Sequence, residues 1–370
     1  MPSRVANQTS AEAAANGNEL ARQLKMARDD GKSLSDIDVN GLSKVEKLVQ
    51  KKVLRCKHNL ASVAIGWSAN SKSFVAGYQG GTMVLWDAAN ALVSQFYCAP
   101  GTFPTSVSIS PQTDKSLVAI GGLDNAVSIV DMSPTIDVCD ISTTLGLNGD
   151  GHEGFIAAMH FLDPATLVSA SGDGDALVWD VEGGTRKQAL KGHTKDVLCL
   201  VPVPLDDAQP GSPSRLLATG SLDQTVRLWD VREARGSAHT FQCDAEVLAI
   251  DVFPNGGYTI ASGCSDGVVR IFDVRAQTTV AELKAPDEMP PITGLQFSAT
   301  GRAIYTSHAT AVLAVWDPYG PRAGRVHKTK VIRQDAKTDL VSLRRSPDGE
   351  CIAAACQDGS VRTFGTGKGK

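Results

Sequence analysis

The sequence of 370 residues has little of several features that would point directly to a function. Its eight cysteines are scattered and include no CxxC pair, so neither a zinc knuckle nor a redox dithiol is indicated. No apolar run is long enough to cross a bilayer, and the N-terminus has no apolar signal core. The formal net charge of −4 gives no electrostatic reason to expect a nucleic-acid binder. We therefore expect a soluble, cytoplasmic protein with reduced, mostly buried thiols.

Motifs of common catalytic and cofactor sites are also absent. There is no GxSxG nucleophile elbow, and "GKS" at 31–33 lacks the first glycine of a phosphate loop because Met26 stands there. The stretch "NGDGHEG" at 148–154 does not have the ligand series of a calcium loop. The sequence thus predicts no catalytic residue, no cofactor and no metal site.

An internal repeat is the strongest positive signal. Seven phrases of alternating apolar residues end on an aromatic or apolar anchor, often followed by aspartate: "GTMVLWD" (81–87), "AVSIVD" (126–131), "DALVWD" (175–180), "QTVRLWD" (224–230), "GVVRIFD" (267–273), "AVLAVWD" (311–317) and "GSVRTFG" (359–365). Successive anchors are 43 to 50 residues apart, which is the length of a four-stranded propeller blade. We predict an all-β fold, a seven-bladed β-propeller with an N-terminal α-helical extension.

Polar residues recur at fixed distances from the anchors. An aspartate stands six residues before five of them, and a Gly-His pair precedes the third and fourth phrases. These residues can form a buried hydrogen-bonded line in each of two blades: His152, Ser169, Asp173 and Trp179, and His193, Thr219, Asp223 and Trp229. His, Ser and Asp also form hydrolase triads, but a triad occurs once per active site, whereas this set recurs at blade spacing. We interpret it as structural.

The ends of the chain must close the ring. After Phe364 only "GTGKGK" remains, so the outer strand of the last blade is expected from "KKVLRC" at 51–56. The predicted organisation is a disordered segment over 1–9, a helical or coiled-coil segment over 10–50 and the propeller over 51–370.

The N-terminal segment is rich in helix formers. Leu20, Leu24 and Ala27 fall on one helical face, and Ser43 with Glu46 forms a capping-box pattern for a second helix over 42–52. A projecting helix cannot cover its own apolar stripe, which favours a partner helix. A helix folded back on the propeller, or frayed in solvent, is the alternative.

A family resemblance extends over essentially the whole chain. The chain resembles the β subunit of heterotrimeric G proteins, a WD-repeat family, most specifically in "GGLDNAVSIVD" (121–131), "GHEGFIAAMHFLDPATLVSASGDGDALVWD" (151–180), "GHTKDV" (192–197), "WDVRE" (229–233) and "LARQLKMARDDGKSLSD" (20–36). The resemblance implies a non-enzymatic signalling protein whose N-terminal helix pairs with a γ subunit. It also implies reversible binding of a GDP-bound α subunit and of effectors, with a membrane reached only through the lipid of a partner.

The resemblance also implies an α-subunit and effector surface. The residues expected to form it are Phe103, Leu123, Asn125, Phe155, Asp196 and Glu246, and all but Phe103 are matched or mildly changed. Larger departures, or losses of an acidic residue, occur at Ala61, Val63, Phe103, Thr105, Ser265 and Gln357. Loss of large anchors costs about 1 to 4 kcal/mol each at an interface. The alternative function is therefore a general WD-repeat scaffold that does not bind an α subunit.

One charged stretch stands apart. Residues 322–345 are strongly basic although the whole chain is acidic. This stretch could face anionic lipid or an acidic partner, or it could form a solvated surface.

Overall fold

The computed structural model describes residues 47–55, 60–87, 92–97, 103–111, 117–131, 141–146, 149–204, 214–233, 236–254, 258–285, 288–310, 312–318, 326–327 and 338–367. Within these residues the regular elements are 28 β-strands in seven four-stranded antiparallel sheets. The prediction of a seven-bladed propeller is confirmed. No helix in the described part of the chain is long and apolar enough to cross a membrane.

Each blade is a meander of consecutive strands. The strands of blades one to four are, from the centre outward, β2 (Ser62–Trp67), β3 (Ser73–Tyr78), β4 (Thr82–Asp87) and β5 (Leu92–Tyr97); β6 (Pro104–Ile109), β7 (Leu117–Gly122), β8 (Val127–Asp131) and β9 (Ile141–Leu145); β10 (Ile156–Asp163), β11 (Thr166–Ser171), β12 (Ala176–Asp180) and β13 (Thr185–Leu190); and β14 (Val197–Val203), β15 (Leu216–Ser221), β16 (Thr225–Asp230) and β17 (His239–Gln242).

Blades five and six repeat this order, and blade seven combines both ends of the described chain. Their strands are β18 (Val247–Val252), β19 (Thr259–Cys264), β20 (Val269–Asp273) and β21 (Thr278–Leu283); β22 (Ile292–Phe297), β23 (Ile304–His308), β24 (Val312–Trp316) and β25 (Val326–His327); and β26 (Leu340–Arg345), β27 (Cys351–Cys356), β28 (Ser360–Gly367) and β1 (Lys47–Arg55). The first strands of adjacent blades contact one another around a central channel, with β26 against β2.

Strand β1 is the outer strand of blade seven. It pairs antiparallel with β28 from Lys47 opposite Gly367 to Arg55 opposite Ser360, which covers an edge that would otherwise be open. The prediction of a helix over 42–52 is wrong from Lys47 onward, because backbone pairing with β28 overrides the local helical pattern. The predicted helix residues Leu20, Leu24 and Ala27 lie outside the described residues.

The apolar core lies between the blades. Seven clusters of buried apolar side chains within the described residues each join two neighbouring blades, including one between blades seven and one. All seven anchors are buried in or beside these layers: Trp86, Val130, Trp179, Trp229, Phe272, Trp316 and Phe364. A blade therefore needs its neighbours to hide its faces, as expected of a repeat fold.

Cysteines do not crosslink this core. Five cysteines of the described part are free thiols, four of them buried, and Cys351 is half-buried. The other three, Cys56, Cys98 and Cys139, lie outside the described residues.

The recurring aspartates fix the turns before the third strands. In each turn one side-chain oxygen accepts the backbone N–H two residues later, at 2.9 to 3.4 Å, and the residues concerned are Asp124, Asp173, Asp223, Asp266 and Asp358. Blade one has Gly80 at this position, and blade six has Thr310, whose N–H donates to Asp339 of the next blade at 2.8 Å.

Candidate interaction face

A ring of backbone hydrogen bonds defines one face of the propeller. In every blade, the backbone carbonyl of the residue directly before the first strand accepts a hydrogen bond from a backbone N–H in the turn after the second strand. The donor nitrogen lies 2.9 to 3.1 Å from the carbonyl oxygen. The seven acceptor and donor pairs are Ala61–Gln79, Phe103–Leu123, Phe155–Gly172, Asp196–Leu222, Glu246–Ser265, Pro291–Ala309 and Asp339–Gln357. We call the surface formed by these residues the turn face.

Five of the six predicted surface residues belong to the turn face, and Asn125 follows two residues after Leu123. Phe103, Phe155, Asp196 and Glu246 are four of the seven acceptors, and Leu123 is a donor. Leu123 is 55% exposed, an unusual value for a large apolar side chain and one that suits contact with a partner. Their grouping on one surface is a geometric fact; a binding role stays a prediction.

Two of these residues also have structural roles. Asn125 has a φ of 62°, and its side-chain amide donates to the Glu153 carbonyl at 3.2 Å, so it links blade two to blade three. The Phe155 ring lies against Gly172, where an added Cβ would stand 2.4 Å from the ring. Glycine is therefore required beneath the aromatic side chain.

A second ring surrounds the mouth of the channel. The second residue of every first strand sits at a register shift and lines an upper cavity of about 280 Å³. The members of this mouth ring are Val63, Thr105, Ala157, Leu198, Leu248, Thr293 and Val341. The Thr105 hydroxyl donates to the Ile156 carbonyl, and the Thr293 hydroxyl to the Leu340 carbonyl at 2.7 Å, so both are used between blades. The other five side chains of the mouth ring are apolar.

The positions that depart from the resemblance fall on the same surface. Ala61, Ser265 and Gln357 belong to the turn-face pairs, and Val63 and Thr105 belong to the mouth ring. The mouth ring was not predicted from the sequence, although its members share one position, the second residue of each first strand.

Acidic residues lie beside the apolar mouth. Asp196 and Glu246 are half-buried, while Glu153 is exposed and the Asp244 side chain is 83% exposed. These four residues come from blades three, four and five. The turn face thus combines an apolar centre with an acidic edge.

A hydrogen-bonded line lies below this face in blade three. His152 Nδ1 is 2.8 Å from Asp173 Oδ2, His152 Nε2 is 2.7 Å from Ser169 Oγ, and Trp179 Nε1 is 2.8 Å from the same oxygen. An ionised Asp173 is an acceptor, so the histidine donates from Nδ1 and accepts at Nε2. The serine hydroxyl then donates to Nε2 and accepts from the indole, which satisfies every polar group of the line.

The electrostatics agree with this assignment. Partial burial would raise the pKa of Asp173, but hydrogen bonds from His152 and from the Asp175 and Glu153 backbone outweigh it and lower the pKa to about 2. Ser169 is fully buried, and its oxygen already receives the indole N–H. A substrate has no route to this hydroxyl, so the set does not operate as a hydrolase triad.

Blade four repeats the arrangement with threonine. His193 Nδ1 is 2.8 Å from Asp223 Oδ2, and His193 Nε2 is 2.8 Å from Thr219 Oγ1. Trp229 Nε1 donates to Thr219 Oγ1 at 2.8 Å. Hydrogen bonds from Thr225 and His193 outweigh burial and lower the pKa of Asp223. Burial lowers the pKa of His193, which favours the neutral ring.

Comparison with known proteins agrees with this geometry. The family described as "WD domain, G-beta repeat" matches residues 184–230 and 235–273, which cover parts of blades three to five. These parts of the chain therefore match the WD-repeat pattern.

Curated relatives extend the WD-repeat similarity to most of the chain. The chain is 29% identical to a protein from Zea mays named "Guanine nucleotide-binding protein subunit beta", over 96% of this chain and 93% of that protein. Relatives with the same name from Oryza sativa subsp. japonica and Arabidopsis thaliana are 29% and 28% identical, over 83% and 82% of this chain and 83% and 80% of theirs. The chain is thus a divergent WD-repeat protein, similar to G-protein β subunits.

The WD repeat of blade six holds a line that the sequence analysis missed. His308 Nε2 is 2.8 Å from Thr306 Oγ1, and Trp316 Nε1 donates to the same oxygen at 2.8 Å. The histidine comes from the second strand, two residues after the threonine, and its Nδ1 faces the Pro290 carbonyl at 2.7 Å. A carbonyl therefore replaces the turn aspartate, which removes the carboxylate from this WD repeat.

The WD repeats of blades five and seven have phenylalanine anchors and use arginine instead. Arg270, with a side chain only 3% exposed, lies 2.7 Å from Asp266 and 3.3 Å from Glu282. Burial opposes its charge, but the Asp266 carboxylate raises the pKa of Arg270. In blade seven Arg362 is 3.5 Å from Asp358, which also lies 3.7 Å from Arg55 of β1. Among the described residues, no group of three or more His, Cys, Asp or Glu side chains is placed to hold a metal ion.

Proposed function

We propose that this protein is the β subunit of a heterotrimeric G protein. The observation that carries the proposal is the coincidence of two facts: similarity to G-protein β subunits over most of the chain, and matched surface residues that share one face of the propeller. In this function the protein does no chemistry and needs no cofactor. It binds a γ subunit permanently and a GDP-bound α subunit reversibly.

The turn face has the composition of a protein-binding surface. Exposed Leu123 and the ring of Phe155 lie beside the apolar mouth, and Asp196 and Glu246 lie at its acidic edge. Apolar centres with polar rims are common in reversible complexes. Because the α subunit and effectors would use one surface, release of the α subunit would expose the effector site.

The γ subunit would bind the N-terminal helix predicted around Leu20, Leu24 and Ala27. Strand β1 begins at Lys47, so the propeller is closed without this segment. We expect deletion of residues 1–40 to leave the unfolding temperature within a few degrees of the full chain and to abolish co-purification of a small helical subunit. Retention of that subunit by the truncated protein would refute the γ assignment.

Location follows from the partners in this proposal. The protein would reside in the cytoplasm, at the cytoplasmic face of the plasma membrane, through a lipid carried by a partner. Nucleic acid is not a partner in this proposal. Fractionation of cells with and without the N-terminal segment tests this, since loss of the γ subunit should release the protein from membranes.

The decisive experiment is recovery of a GTPase by the tagged protein. We expect recovery with GDP and loss with a non-hydrolysable GTP analogue. Leu123→Ala should weaken binding by about fivefold or more and reduce recovery accordingly, because truncation of an exposed interface anchor costs about 1 to 4 kcal/mol. The matched control is Val280→Ala, another exposed apolar residue, on the outermost strand of blade five. Equal loss in both variants would contradict the surface assignment.

A general WD-repeat scaffold is the second candidate. The observation that favours it is the presence of small side chains at Ala61, Val63 and Thr105 on or beside the turn face. Nucleotide-independent recovery of other proteins, with no GTPase, would support the scaffold over the β subunit.

A further inference from the structure

Polar side chains recur in the half of the central channel farther from the turn face. The fifth residue of each first strand lines a cavity of about 210 Å³ there, and five of the seven are polar: Ser108, His160, Asp251, Gln296 and Arg344. In the mouth ring, by contrast, five of the seven side chains are apolar. This lower cavity shares Arg344 with the upper one.

The fold itself uses three of these side chains. Ser108 Oγ accepts the Phe161 N–H at 3.2 Å, Asp251 Oδ2 accepts the Phe297 N–H at 2.7 Å, and Gln296 Oε1 accepts the Arg345 N–H at 3.1 Å. Each bond joins a blade to its successor.

His160 and Arg344 do not take part in these bonds. The residue of blade four that would donate to His160 is Pro202, which has no N–H, and a guanidinium cannot accept a hydrogen bond. Within the described residues, neither side chain makes a hydrogen bond, and neither has an oppositely charged group within ion-pair distance. His160 is exposed to the channel, and Arg344 is half-buried in its wall.

Arg345 adds a second cation to the lower cavity. It lines the cavity, and its Nε is buried without a hydrogen-bond partner. Asp251 is the one acidic side chain of the lining, and burial raises its pKa despite the opposing effect of Arg345. Burial also lowers the pKa of Arg344, and desolvation within the channel walls together with the Arg344 charge lowers the pKa of His160 to about 4. The cavity therefore holds an excess of positive charge in a protein of net charge −4.

We propose that the lower channel binds a small phosphate-bearing anion between Arg344 and Arg345, with His160 as a hydrogen-bond partner. Guanidinium groups match phosphate oxygens in a planar, two-pronged geometry, and the interaction strengthens away from bulk water. An anion would accept hydrogen bonds from the Arg344 guanidinium and from the buried Arg345 Nε, which has no hydrogen-bond partner. The basic stretch over 322–345 thus ends in the channel at Arg344 and Arg345. Its other lysines and arginines lie outside the described residues, so its interpretation as a solvated surface stays a prediction.

Titration of the full-length protein with inorganic phosphate tests the proposal. Binding should raise the unfolding temperature in a saturable way, whereas sodium chloride at equal ionic strength should not. Arg344→Met should weaken phosphate binding by about tenfold or more, since a charge-assisted hydrogen bond is lost. The control is Arg232→Met, whose exposed arginine pairs with Asp230 outside the channel.

A second variant and a direct binding measurement test the proposal even if Arg344→Met does not fold. Arg344→Lys keeps the positive charge but loses the two-pronged hydrogen-bonding geometry of the guanidinium group. Line broadening of the phosphorus NMR signal measures phosphate binding directly and does not depend on protein stability. An equal response to phosphate and chloride, or an unchanged phosphate affinity in both Arg344 variants, would overturn the proposal. Competition between inorganic phosphate and a soluble inositol phosphate, but not phosphoinositide vesicles, would identify a soluble ligand; binding to vesicles alone would overturn the channel site.

Discussion

Blades three and one place a tryptophan at the same point of the third strand but give it different neighbours. Trp179 pairs across the sheet with Leu167, and two residues further along Ser169 accepts its indole N–H at 2.8 Å. Trp86 pairs with Phe74, but the residue two further along is Ala76, and the buried Trp86 Nε1 has no hydrogen-bond partner. Both blades nonetheless have the same four-stranded sheet. Apolar packing between blades is sufficient for the architecture, and the polar line adds stability to particular blades.

The largest effect is expected when the hydrogen-bonded line of blade three is broken. Ser169→Ala removes the acceptor of the Trp179 indole and the donor to His152, leaving two buried polar groups without partners. We expect a loss of about 2 to 4 kcal/mol in the free energy of unfolding. Urea unfolding followed by tryptophan fluorescence measures it. A change below about 0.5 kcal/mol, the range of ordinary surface substitutions, would show that the line contributes little.

The next effect depends on pH. Because the pKa of Asp173 is about 2 in the fold and 3.8 as an ordinary value, its stabilisation is present above pH 3.8 and is lost as the pH falls toward 2. We expect a pH-dependent part of about 1 to 2 kcal/mol, discounted for solvent screening. The stability difference between the wild type and Asp173→Asn should shrink over this window. Blade six has a carbonyl in place of the carboxylate, so Thr306→Ala should show no such change in this window.

The sequence was sufficient to predict the ring of blades. The anchors at blade spacing and the turn aspartates are local signals, and each repeat contains its own copy of them. The outer strand was predicted for the same reason, since a single open edge had to be covered. Its start was misplaced because Lys47–Gln50 has a helical local pattern and becomes a strand only by pairing with the opposite end of the chain.

The polar details needed three-dimensional information. His308 lies on the second strand, whereas the histidines of blades three and four precede the first strand, so no fixed spacing identifies it. Arg344 and Arg345 resemble solvated surface residues until the first strands are wound around the channel. The turn face was predicted by resemblance, but its grouping emerged from the carbonyl ring, which has no side-chain signature.

The smallest effect is expected when blade one is given the hydroxyl acceptor that its tryptophan lacks. Ala76→Ser places a hydroxyl where Ser169 stands in blade three, and the Trp86 indole would gain an acceptor. We expect a gain of about 1 kcal/mol, because an unsatisfied buried N–H would be paired. The matched control is Ala354→Ser in blade seven, where the anchor is Phe364 and has no N–H to donate. That control should lose about 1 kcal/mol, since it buries a hydroxyl without the indole donor. Equal changes in the two variants, measured by urea unfolding, would mean that added volume rather than the indole N–H decides the outcome.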